Sequence, residues 1–462
     1  MGDRAPLTKI SEVRRAHLVG IGGTAMTPLA TILLQMGIDV TGSDLATNQA
    51  MGPLRSLGAR IFFGHRAEHV GDVDIVVASS AVPEDNPELA IARARGIRTV
   101  KHSAALGSLM RERRGVAVAG THGKTTTSAL IAFILDRAGL DPTFHVGSEL
   151  LNFGLFGRRG QGEWLVAEAD EFDRRFLDYD PEIAIVTSVE PDHLDYFGSF
   201  QHVVDAFLSF VERVRPGGAM IVCCDDPVAR DLPCHGTRIT YGLADDADWR
   251  VTTWDPVDRQ RSRITLRGPD GAGHDAEVAL VGSHNAVNVA AAVATASHLR
   301  VPWSAIQEAL AEFRGTRRRF ELIGIAAGVA VVDDYAHHPT AIRATLAAAR
   351  AHYRSPIWAI FQPHTAHRTM SLFDAFAGSF GDADHVILAP TYRPAGREAN
   401  EDDPTVRSLA QVMNHPDAAV LSANKAVERV VTAAQPGDLV LVMGAGDIWT
   451  IAEPILEGLR TR

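Results

Sequence analysis

The chain has 462 residues, enough for about three domains of the usual size. Apolar residues make up 46% and charged residues 22%, which is typical of a soluble globular protein. The formal net charge of −11 argues against nucleic acid or an anionic membrane as the main partner. The N-terminal stretch lacks the apolar core of a signal peptide, and no apolar run is long enough to cross a membrane. We therefore expect a cytoplasmic protein without a membrane partner.

Short apolar runs alternate with helical patterns over residues 16–105. The strand-like run "AHLVGIG" is followed by the helical pattern "TAMTPLATILLQMG", which ends at Gly37, and then by the strand-like run "IDVTGSD". Strands that alternate with helices predict parallel βαβ units. The first third of the chain is therefore predicted to form an α/β domain.

The same alternation begins again twice. Over residues 115–315, "GVAVAG" predicts a strand and "TTTSALIAFILDRAG" a helix, and "EWLVAEAD" and "IAIVTSVEPDH" predict further strands. Residues 245–281 instead alternate apolar and polar residues around a glycine-rich turn, which predicts a small antiparallel insertion. A third α/β block begins near residue 321. Since ligands bind beyond the carboxyl ends of strands in such sheets, three blocks favour an enzyme with several substrates.

The stretch "GTHGKTTT", residues 120–127, joins a predicted strand to a predicted helix. Gly120 and Gly123 allow the backbone to close around an anion, and the helix N-terminus adds positive charge. Lys124 would then neutralise phosphates and Thr125 would ligate Mg²⁺. Val118 stands where the usual G-x-x-x-x-G-K-[ST] pattern has its first glycine. The alternative is an ordinary capped helix after a glycine turn.

A second glycine loop lies in "HLVGIGGTA". Gly20, Gly22 and Ala25 match the pattern G-x-G-x-x-[GA], and Asp44 ends the next predicted strand. This spacing suits a dinucleotide with its ribose bound by the acid. The motif alone is weak, and it leaves open NAD(P), another phosphate-bearing ligand or a turn needed only for packing.

Acidic residues and a histidine follow two strands of the second block, in "AEADEFD" and "VEPDHLD". Carboxylates and an imidazole beside a phosphate loop can hold Mg²⁺ directly or through water. Most of these side chains are expected to be solvated loop residues, and Glu168 and His193 are the strongest candidates. In "GTRRRFE" an arginine can reach a γ-phosphate, although a basic run is more often a solvated face.

Taken in order, these stretches resemble the Mur ligase family. The resemblance runs almost end to end and rests on "GIGGTAMTPLA", "SSAVPEDNPE", "GTHGKTTT", "EADEFDRRFL", "EPDHLDYFGSF", "HNAVNVAAA", "RRFELIG", "DDYAHHPTAIRATL", "FQPHTAHRT" and "GDLVLVMGAGDI". Its short G-x-x-G-K-T loop is the one that this family uses, so Val118 agrees with the assignment. The implied fold is α/β with three domains: an N-terminal Rossmann-like domain (1–112) that binds a UDP-sugar, a central P-loop ATPase-type parallel sheet with a small antiparallel insertion (113–320), and a C-terminal Rossmann-like ligase domain (321–462).

The resemblance also implies roles for individual residues. Catalytic roles fall on Lys124, Glu168, His193, Arg319, His337 and Arg368. ATP would be bound by Gly120, Thr121, Gly123, Lys124, Thr125, Thr126, Asn285, Asn288, Arg319 and Asp334. The UDP-sugar would be bound by Gly20, Gly22, Gly23, Asp44, Ser79, Ser80 and His122. The amino-acid pocket would contain Tyr335, His337 and Arg368, and the metal ligands would be Thr125, Glu168 and His193.

The implied activity is the ATP- and Mg²⁺-dependent joining of L-alanine to the muramoyl carboxylate of UDP-N-acetylmuramate through an acyl phosphate, in peptidoglycan precursor synthesis. Later-acting relatives carry a lysine, modified to a carbamate, about fifteen residues after the metal histidine. The stretch "QHVVDAFLSF" has none, which favours the branch that adds L-alanine. Thr365, Ala366 and His367 depart from the aromatic or basic residues that members often have.

Two alternatives remain at this point. A sibling ligase that attaches a preformed tripeptide to the same sugar nucleotide would share most of these motifs. An NAD(P)-dependent oxidoreductase would account for the first glycine loop, but it would leave Lys124, Glu168, His193 and Arg319 without a role. The protein is expected to be a monomer or a homodimer.

Overall fold

The computed structural model describes residues 9–46, 51–392 and 403–462. The described strands form three sheets, of five, ten and six strands, which follow one another along the chain. Helices connect most of the parallel strands. The predicted three-part α/β architecture is therefore confirmed.

The first sheet is parallel, with the strand order β3-β2-β1-β4-β5. Its strands are β1 (Arg15–Val19), β2 (Asp39–Asp44), β3 (Arg60–Phe63), β4 (Ile75–Ala78) and β5 (Arg98–Lys101). Its helices are α1 (Met26–Gln35), α2 (Met51–Ser56), α3 (Pro87–Ala94) and α4 (His102–Arg111). The strand order reverses between β1 and β4, which is where ligands bind in doubly wound sheets.

The second sheet has the order β15-β14-β13-β12-β11-β10-β6-β9-β7-β8. Its strands are β6 (Arg114–Ala119), β7 (Thr143–Leu150), β8 (Leu155–Arg158), β9 (Trp164–Glu168), β10 (Ile183–Val186), β11 (Ala219–Cys223), β12 (Thr237–Gly242), β13 (Trp249–Pro256), β14 (Ser262–Arg267) and β15 (Gly273–Val278). Its helices are α5 (Lys124–Arg137), α6 (Leu194–Phe197), α7 (Phe200–Val211), α8 (Pro227–Asp231), α9 (Ser283–His298) and α10 (Trp303–Glu312). Strand β6 pairs in parallel with β9 and with β10.

The third sheet has the order β16-β17-β21-β18-β19-β20, with β16 antiparallel at one edge. Its strands are β16 (Glu321–Ala326), β17 (Val329–Asp334), β18 (Ile357–Phe361), β19 (His385–Leu388), β20 (Ala418–Val420) and β21 (Leu439–Met443). Its helices are α11 (Pro339–His352), α12 (Ala366–Ser371), α13 (Phe373–Ala377), α14 (Pro404–Val412), α15 (Ala423–Ala433) and α16 (Ala452–Arg460). Short 3-10 helices cover Ile10–Glu12, Ala67–His69, Phe172–Asp178 and Ile448–Ile451.

The chain divides into two compact units. One contains residues 1–252, 266–274 and 287–314, and the other contains residues 253–265, 275–286 and 315–462. The first unit therefore contains the whole first sheet and most of the second. The domain limits drawn from the sequence, at 112/113 and 320/321, stay a prediction.

Within the first unit, one continuous apolar core extends from Ile10 to Leu232 and includes residues of both sheets. Helix α1 packs against β8 so closely that a Cβ atom added at Gly157 would lie 2.6 Å from Cβ of Pro28. The Gln35 side chain accepts a hydrogen bond of 2.7 Å from the Arg159 backbone, and the Arg159 guanidinium returns one of 2.9 Å to the Gln35 carbonyl. The first two sheets are therefore held by packing and by paired polar contacts.

Two buried histidines also join these sheets. Nε2 of His102 lies 3.0 Å from Nε2 of His145, and the latter lies 2.9 Å from the carbonyl oxygen of Ala25. Burial lowers the pKa of His145 to about 4 and that of His102 well below its usual range. Both imidazoles are therefore neutral at pH 7.

The antiparallel insertion predicted over residues 245–281 is present as β13, β14 and β15. Its turns are closed by hydrogen bonds from the Val257 N–H to the Arg261 carbonyl and from the Gly268 N–H to the Ala272 carbonyl. The sequence analysis did not predict β3, β7, β8, β12 or β16. Three of these, β3, β8 and β16, are edge strands. Because such strands are covered on fewer sides, their sequences lack the continuous apolar runs of the central strands.

No helix in the described parts of the chain combines the length and the apolar character needed to cross a lipid bilayer.

We expect Phe210→Ala to lower the stability of the first unit by about 3–5 kcal/mol, because it removes a large side chain from the core. Phe210 is fully buried and stacks on Phe176, with 4.8 Å between ring centroids. Thermal unfolding followed by circular dichroism measures the change. Phe63→Ala is the matched control, since Phe63 is 70% exposed. Equal shifts in Tm for both variants would contradict the placement of Phe210.

Candidate active site

The predicted phosphate loop is present between β6 and α5. Gly120 has φ 134° and Gly123 has φ 79°, values that favour glycine. A Cβ atom added at Gly120 would lie 2.0 Å from Oγ1 of Thr187, and one at Gly123 would lie 2.3 Å from Oδ1 of Asn288. Both glycines are therefore required by backbone conformation and by close packing.

Backbone and side-chain hydrogen bonds attach this loop to the segment that follows β10. The Thr121 N–H donates to the Ser188 carbonyl at 2.8 Å, and the His122 N–H donates to the Ser188 hydroxyl at 3.1 Å. The hydroxyl oxygen of Thr121 accepts a bond of 2.9 Å from the Glu190 N–H. The loop conformation is thus fixed by its neighbour in the sheet.

Lys124 is the first residue of α5 and lies almost buried at the loop. Its Nζ donates to the Gly120 carbonyl and lies 2.8 Å from Oε2 of Glu171. Burial lowers the pKa of Lys124, but Glu171, Asp170 and Glu168 more than compensate, so the pKa is raised overall. Lys124 is therefore a fixed positive charge at the predicted phosphate site.

Thr125 and Glu168 lie together, as predicted for two metal ligands. The Thr125 hydroxyl donates to Oε2 of Glu168 at 2.9 Å, and the Gly147 N–H donates to the same oxygen at 2.9 Å. A hydroxyl and a carboxylate are oxygen ligands of the kind that Mg²⁺ prefers. These two residues fit a magnesium ion. Thr126 follows on α5 and is buried.

The third predicted metal ligand, His193, has no hydrogen bond or ion pair with Glu168 among the described residues. It adopts φ 52° just before α6, and its ring lies 4.7 Å from that of Phe172. His122, predicted to face the sugar nucleotide, has Nε2 3.5 Å from Oε2 of Glu190. Neither contact tests the proposed role, and both roles stay predictions.

The two asparagines predicted to contact adenine lie on α9 and are buried. Asn288 packs beneath the phosphate loop, where its Oδ1 accepts a hydrogen bond of 3.3 Å from Thr127. The Asn285 side chain donates to the Val281 carbonyl at 2.8 Å. Asn288 therefore contributes to the shape of the loop, and its contact with adenine stays a prediction.

At the first sheet, the residues predicted for the UDP-sugar lie at the strand ends around the switch point. Gly20 follows β1 with φ 80°, and a Cβ atom there would lie 3.0 Å from Cβ of Ser79, which follows β4. The Gly22 N–H donates to Oδ2 of Asp44 at 2.9 Å. Gly23 closes the turn onto the Gly20 carbonyl at 3.1 Å. Ser80, next to Ser79, is half-buried.

A buried network that was not predicted from the sequence lies beside this edge. Glu88 is fully buried in the first turn of α3, and its carboxylate accepts from Ser43 Oγ at 2.5 Å. Nδ1 of His65 and of His69 lie 3.2 and 3.1 Å from the same carboxylate, and Nε2 of His17 lies 3.7 Å away. Burial raises the pKa of Glu88, but the hydrogen bonds and charge of its partners prevail and lower it to about 2. The only sequence signal was an acidic residue directly after the helix start "NP".

In the second unit, the structure separates the roles of two neighbouring arginines. Arg318 has φ 61°, its Nε lies 3.0 Å from Oδ2 of Asp333, and it donates to the Gly444 carbonyl. Both guanidinium groups lie near the Tyr335 ring, 5.2 Å from its centre for Arg318 and 5.0 Å for Arg319. Arg318 thus holds the fold of this unit, and the phosphate contact of Arg319 stays a prediction.

Asp334 ends β17, and its carboxylate accepts from the backbone N–H groups of Phe320 and Ala336, each at 2.8 Å. Burial raises the pKa of Asp334, while the charge of Arg319 opposes this. The predicted contact with a ribose would have to share these oxygens. That contact stays a prediction.

Aromatic rings line the predicted amino-acid pocket. The centre of the His337 ring lies 5.1 Å from that of Tyr335 and 6.1 Å from that of His364. His364 in turn stacks on Tyr392, with 5.5 Å between ring centres. Arg368 lies on α12, whose N-terminus is capped by the Thr365 hydroxyl at 3.3 Å from the Arg368 N–H. Residues 393–402, which follow Tyr392, lie outside the described residues.

Comparison with known proteins gives the same assignment along the chain. Three family models match: the Mur ligase family catalytic domain over residues 15–114, the Mur ligase middle domain over 118–296, and the Mur ligase glutamate ligase domain over 318–446. The UDP-N-acetylmuramate–L-alanine ligase of Symbiobacterium thermophilum is 40% identical over 463 residues, which cover 98% of this chain and 96% of that protein.

The chain belongs to the Mur ligase family. It is therefore an ATP-dependent ligase that forms an amide bond, and the resemblance inferred from its motifs is confirmed. The UDP-N-acetylmuramate–alanine ligase structure from Thermotoga maritima matches with a TM-score of 0.82 and 26% identity, covering 97% of this chain and 99% of that one. The murein peptide ligase structure from Psychrobacter arcticus matches with 0.73 and 28%, covering 97% and 99%.

We expect Gly123→Ala to abolish nucleotide binding by this Mur ligase. The added methyl group would meet Asn288 and strain a left-handed residue of the phosphate loop. Gly139→Ala is the matched control, because Gly139 has a similar φ of 76° at the other end of α5 with nothing within 4 Å of the added atom. Calorimetric titration with ADP and Mg²⁺ measures the difference. Similar ADP affinities for the two variants would contradict the geometry of the loop.

We expect Arg318→Ala and Arg319→Ala to fail in different ways. Removing Arg318 leaves Asp333 buried without its partner and lowers stability by about 3–5 kcal/mol. Removing Arg319 abolishes turnover and lowers Tm less than the removal of Arg318 does. Thermal unfolding and a phosphate-release assay on both variants separate the two outcomes, and the reverse pattern would exchange the roles.

Proposed function

We propose that this Mur ligase joins L-alanine to the muramoyl carboxylate of UDP-N-acetylmuramate, using ATP. The observation that carries the proposal is the phosphate loop, with Lys124 charged beside the Thr125–Glu168 pair. The end-to-end similarity to a UDP-N-acetylmuramate–L-alanine ligase supports the choice of substrates.

In the first step of the proposed reaction, an oxygen of the muramoyl carboxylate attacks the γ-phosphorus of ATP. The bond from that phosphorus to the bridging oxygen breaks, which yields an acyl phosphate and ADP. Two anions must approach each other, so the site has to supply positive charge. Lys124 and Arg319 are the side chains to which we assign this task, and the backbone N–H groups of the loop add to it.

In the second step, the neutral amine of L-alanine attacks the acyl carbon. The carbon–oxygen bond to phosphate breaks, inorganic phosphate leaves, and the new amide nitrogen loses a proton. Water would hydrolyse the same intermediate, so the reaction has to be shielded from solvent. We assign the binding of the amino acid to Tyr335, His337 and Arg368.

Mg²⁺ would be held by Thr125 and Glu168, with His193 as a third predicted ligand, and when bound it neutralises charge on the phosphates. What the chain itself provides is the orientation of these oxygens. The Thr125 hydroxyl and the Gly147 N–H both donate to Oε2 of Glu168, which orients the carboxylate beside the phosphate loop. This arrangement supports the assignment of Glu168 as a metal ligand.

The sugar nucleotide is assigned to the carboxyl edge of the first sheet. Glycine turns after β1 leave backbone N–H groups for a diphosphate, as in other doubly wound sheets. Asp44 accepts a hydrogen bond of 2.9 Å from the Gly22 N–H and thereby fixes this turn. We also assign Asp44 to the ribose of the sugar nucleotide. An NAD(P)-dependent oxidoreductase is not supported by the comparisons.

A phosphate-release assay with ATP and UDP-N-acetylmuramate tests the proposal. We expect release with L-alanine and at most weak release with a free tripeptide as the amine, because the relative from Symbiobacterium thermophilum is named as an L-alanine ligase. Lys124→Ala should abolish release, and because it leaves the buried Glu171 without its partner it should also lower Tm. The absence of release with any amine would refute ligation, and release only with the tripeptide would assign the protein to the sibling activity.

A further inference from the structure

The roles assigned above leave one buried acid of the site without a function. Glu171 follows β9 by three residues, directly before the 3-10 helix Phe172–Asp178. Its side chain is 4% exposed. Its two carboxylate oxygens lie 3.2 and 2.8 Å from Nζ of Lys124, and this is the closest ion pair of the phosphate loop among the described residues.

The geometry around Nζ shows how Glu171 acts on Lys124. An ammonium group has three N–H donors. One bonds to the Gly120 carbonyl and one to Glu171, while the Thr121 carbonyl is more distant at 3.4 Å. All three donors thus have protein acceptors, and a phosphate oxygen would have to replace one of them, the most distant being the Thr121 carbonyl. Charge-assisted hydrogen bonds of this kind are short and directional, so they fix the ammonium group in place.

The backbone that carries Glu171 is itself strongly constrained. Asp173 and Arg174 have φ of 55° and 53°, a left-handed conformation that is costly for residues other than glycine. The Arg174 N–H donates to the Glu171 carbonyl at 2.9 Å, and Asp170 accepts from the Phe172 N–H at 3.1 Å. Local interactions therefore determine where the Glu171 carboxylate is placed.

We propose that Glu171 is a positioning residue for Lys124, and that its charge weakens nucleotide binding in exchange for faster phosphoryl transfer. The proposal rests on the proposed function only in taking Lys124 as a ligand of the ATP phosphates. The carboxylate keeps the ammonium group charged and directed at the loop. As an anion beside the phosphates, it also competes with them for the charge of Lys124.

Two substitutions separate these effects. Glu171→Gln keeps the size and one acceptor but removes the charge, so Lys124 gives its full charge to the phosphates and is less firmly held. We expect ADP with Mg²⁺ to bind about fivefold more tightly and kcat to fall about tenfold, since the charged hydrogen bond that orients Lys124 is lost. Glu171→Asp keeps the charge but withdraws it by one methylene group. Here we expect a lower kcat with no gain in ADP affinity.

The experiment combines calorimetric titration of the full chain with ADP and Mg²⁺, steady-state kinetics and thermal unfolding. Glu163→Gln is the matched control, because Glu163 directly precedes β9 at its opposite end and is exposed. It should change neither the Kd for ADP nor kcat. A merely structural role for Glu171 would weaken binding and lower Tm together.

Unchanged or weaker ADP binding by Glu171→Gln would overturn the proposal, as would tighter binding by Glu171→Asp. The titration uses no acceptor substrate, so its result does not depend on whether L-alanine is the amine. If the wild-type protein released no phosphate with any amine, the proposed function would fail while the ADP affinities of the variants still tested the role of Glu171.

Discussion

The pairing of β6 between β9 and β10 is the constraint on which the candidate site depends. Because all three strands are parallel, their carboxyl ends meet at one edge of the sheet. The phosphate loop follows β6, Glu168 ends β9, and Thr187 and Ser188 follow β10. The close approach of Gly120 to Thr187 is a consequence of this register. A shift of β6 by one residue would separate Lys124 from its acidic partners.

The same rule applies in the first sheet, where the turn after β1 and the residues after β4 meet at the switch point. Here the backbone is fixed by Asp44, and a buried carboxylate, Glu88, collects Ser43 and three histidines from separate parts of the chain. In both sheets an acid bonded inside the protein shapes a glycine turn or its surroundings. Each site therefore consists of a glycine motif that is visible in the sequence and of buried acidic residues that are not.

Much of the fold and of the candidate site could be predicted from the sequence, because strands, glycine turns and helix starts are local patterns. Lys124, Thr125 and Glu168 were predicted to lie together, and they do. The contact of Glu171 with Lys124 could not be predicted, since it joins residues 47 positions apart through the conformation of the segment after β9, which includes a left-handed arginine. Arg318 and Arg319 are neighbours of the same residue type, and the sequence does not show that Arg318 forms the ion pair with Asp333. Edge strands such as β3 and β8 were missed because they are covered on fewer sides.

The contacts of the histidine pair between the first two sheets show which ring nitrogen carries a proton. The Ala25 carbonyl can only accept, so Nε2 of His145 must carry the proton, and Nε2 of His102 then faces it as a lone pair. A second proton on His102 would place two N–H groups against each other. Because both pKa values are lowered in the folded protein, the unfolded chain takes up protons first as pH falls. The stability that this junction contributes is complete above about pH 6.5, the ordinary histidine pKa, and is lost progressively toward pH 4. Acid therefore weakens the contact between the first two sheets.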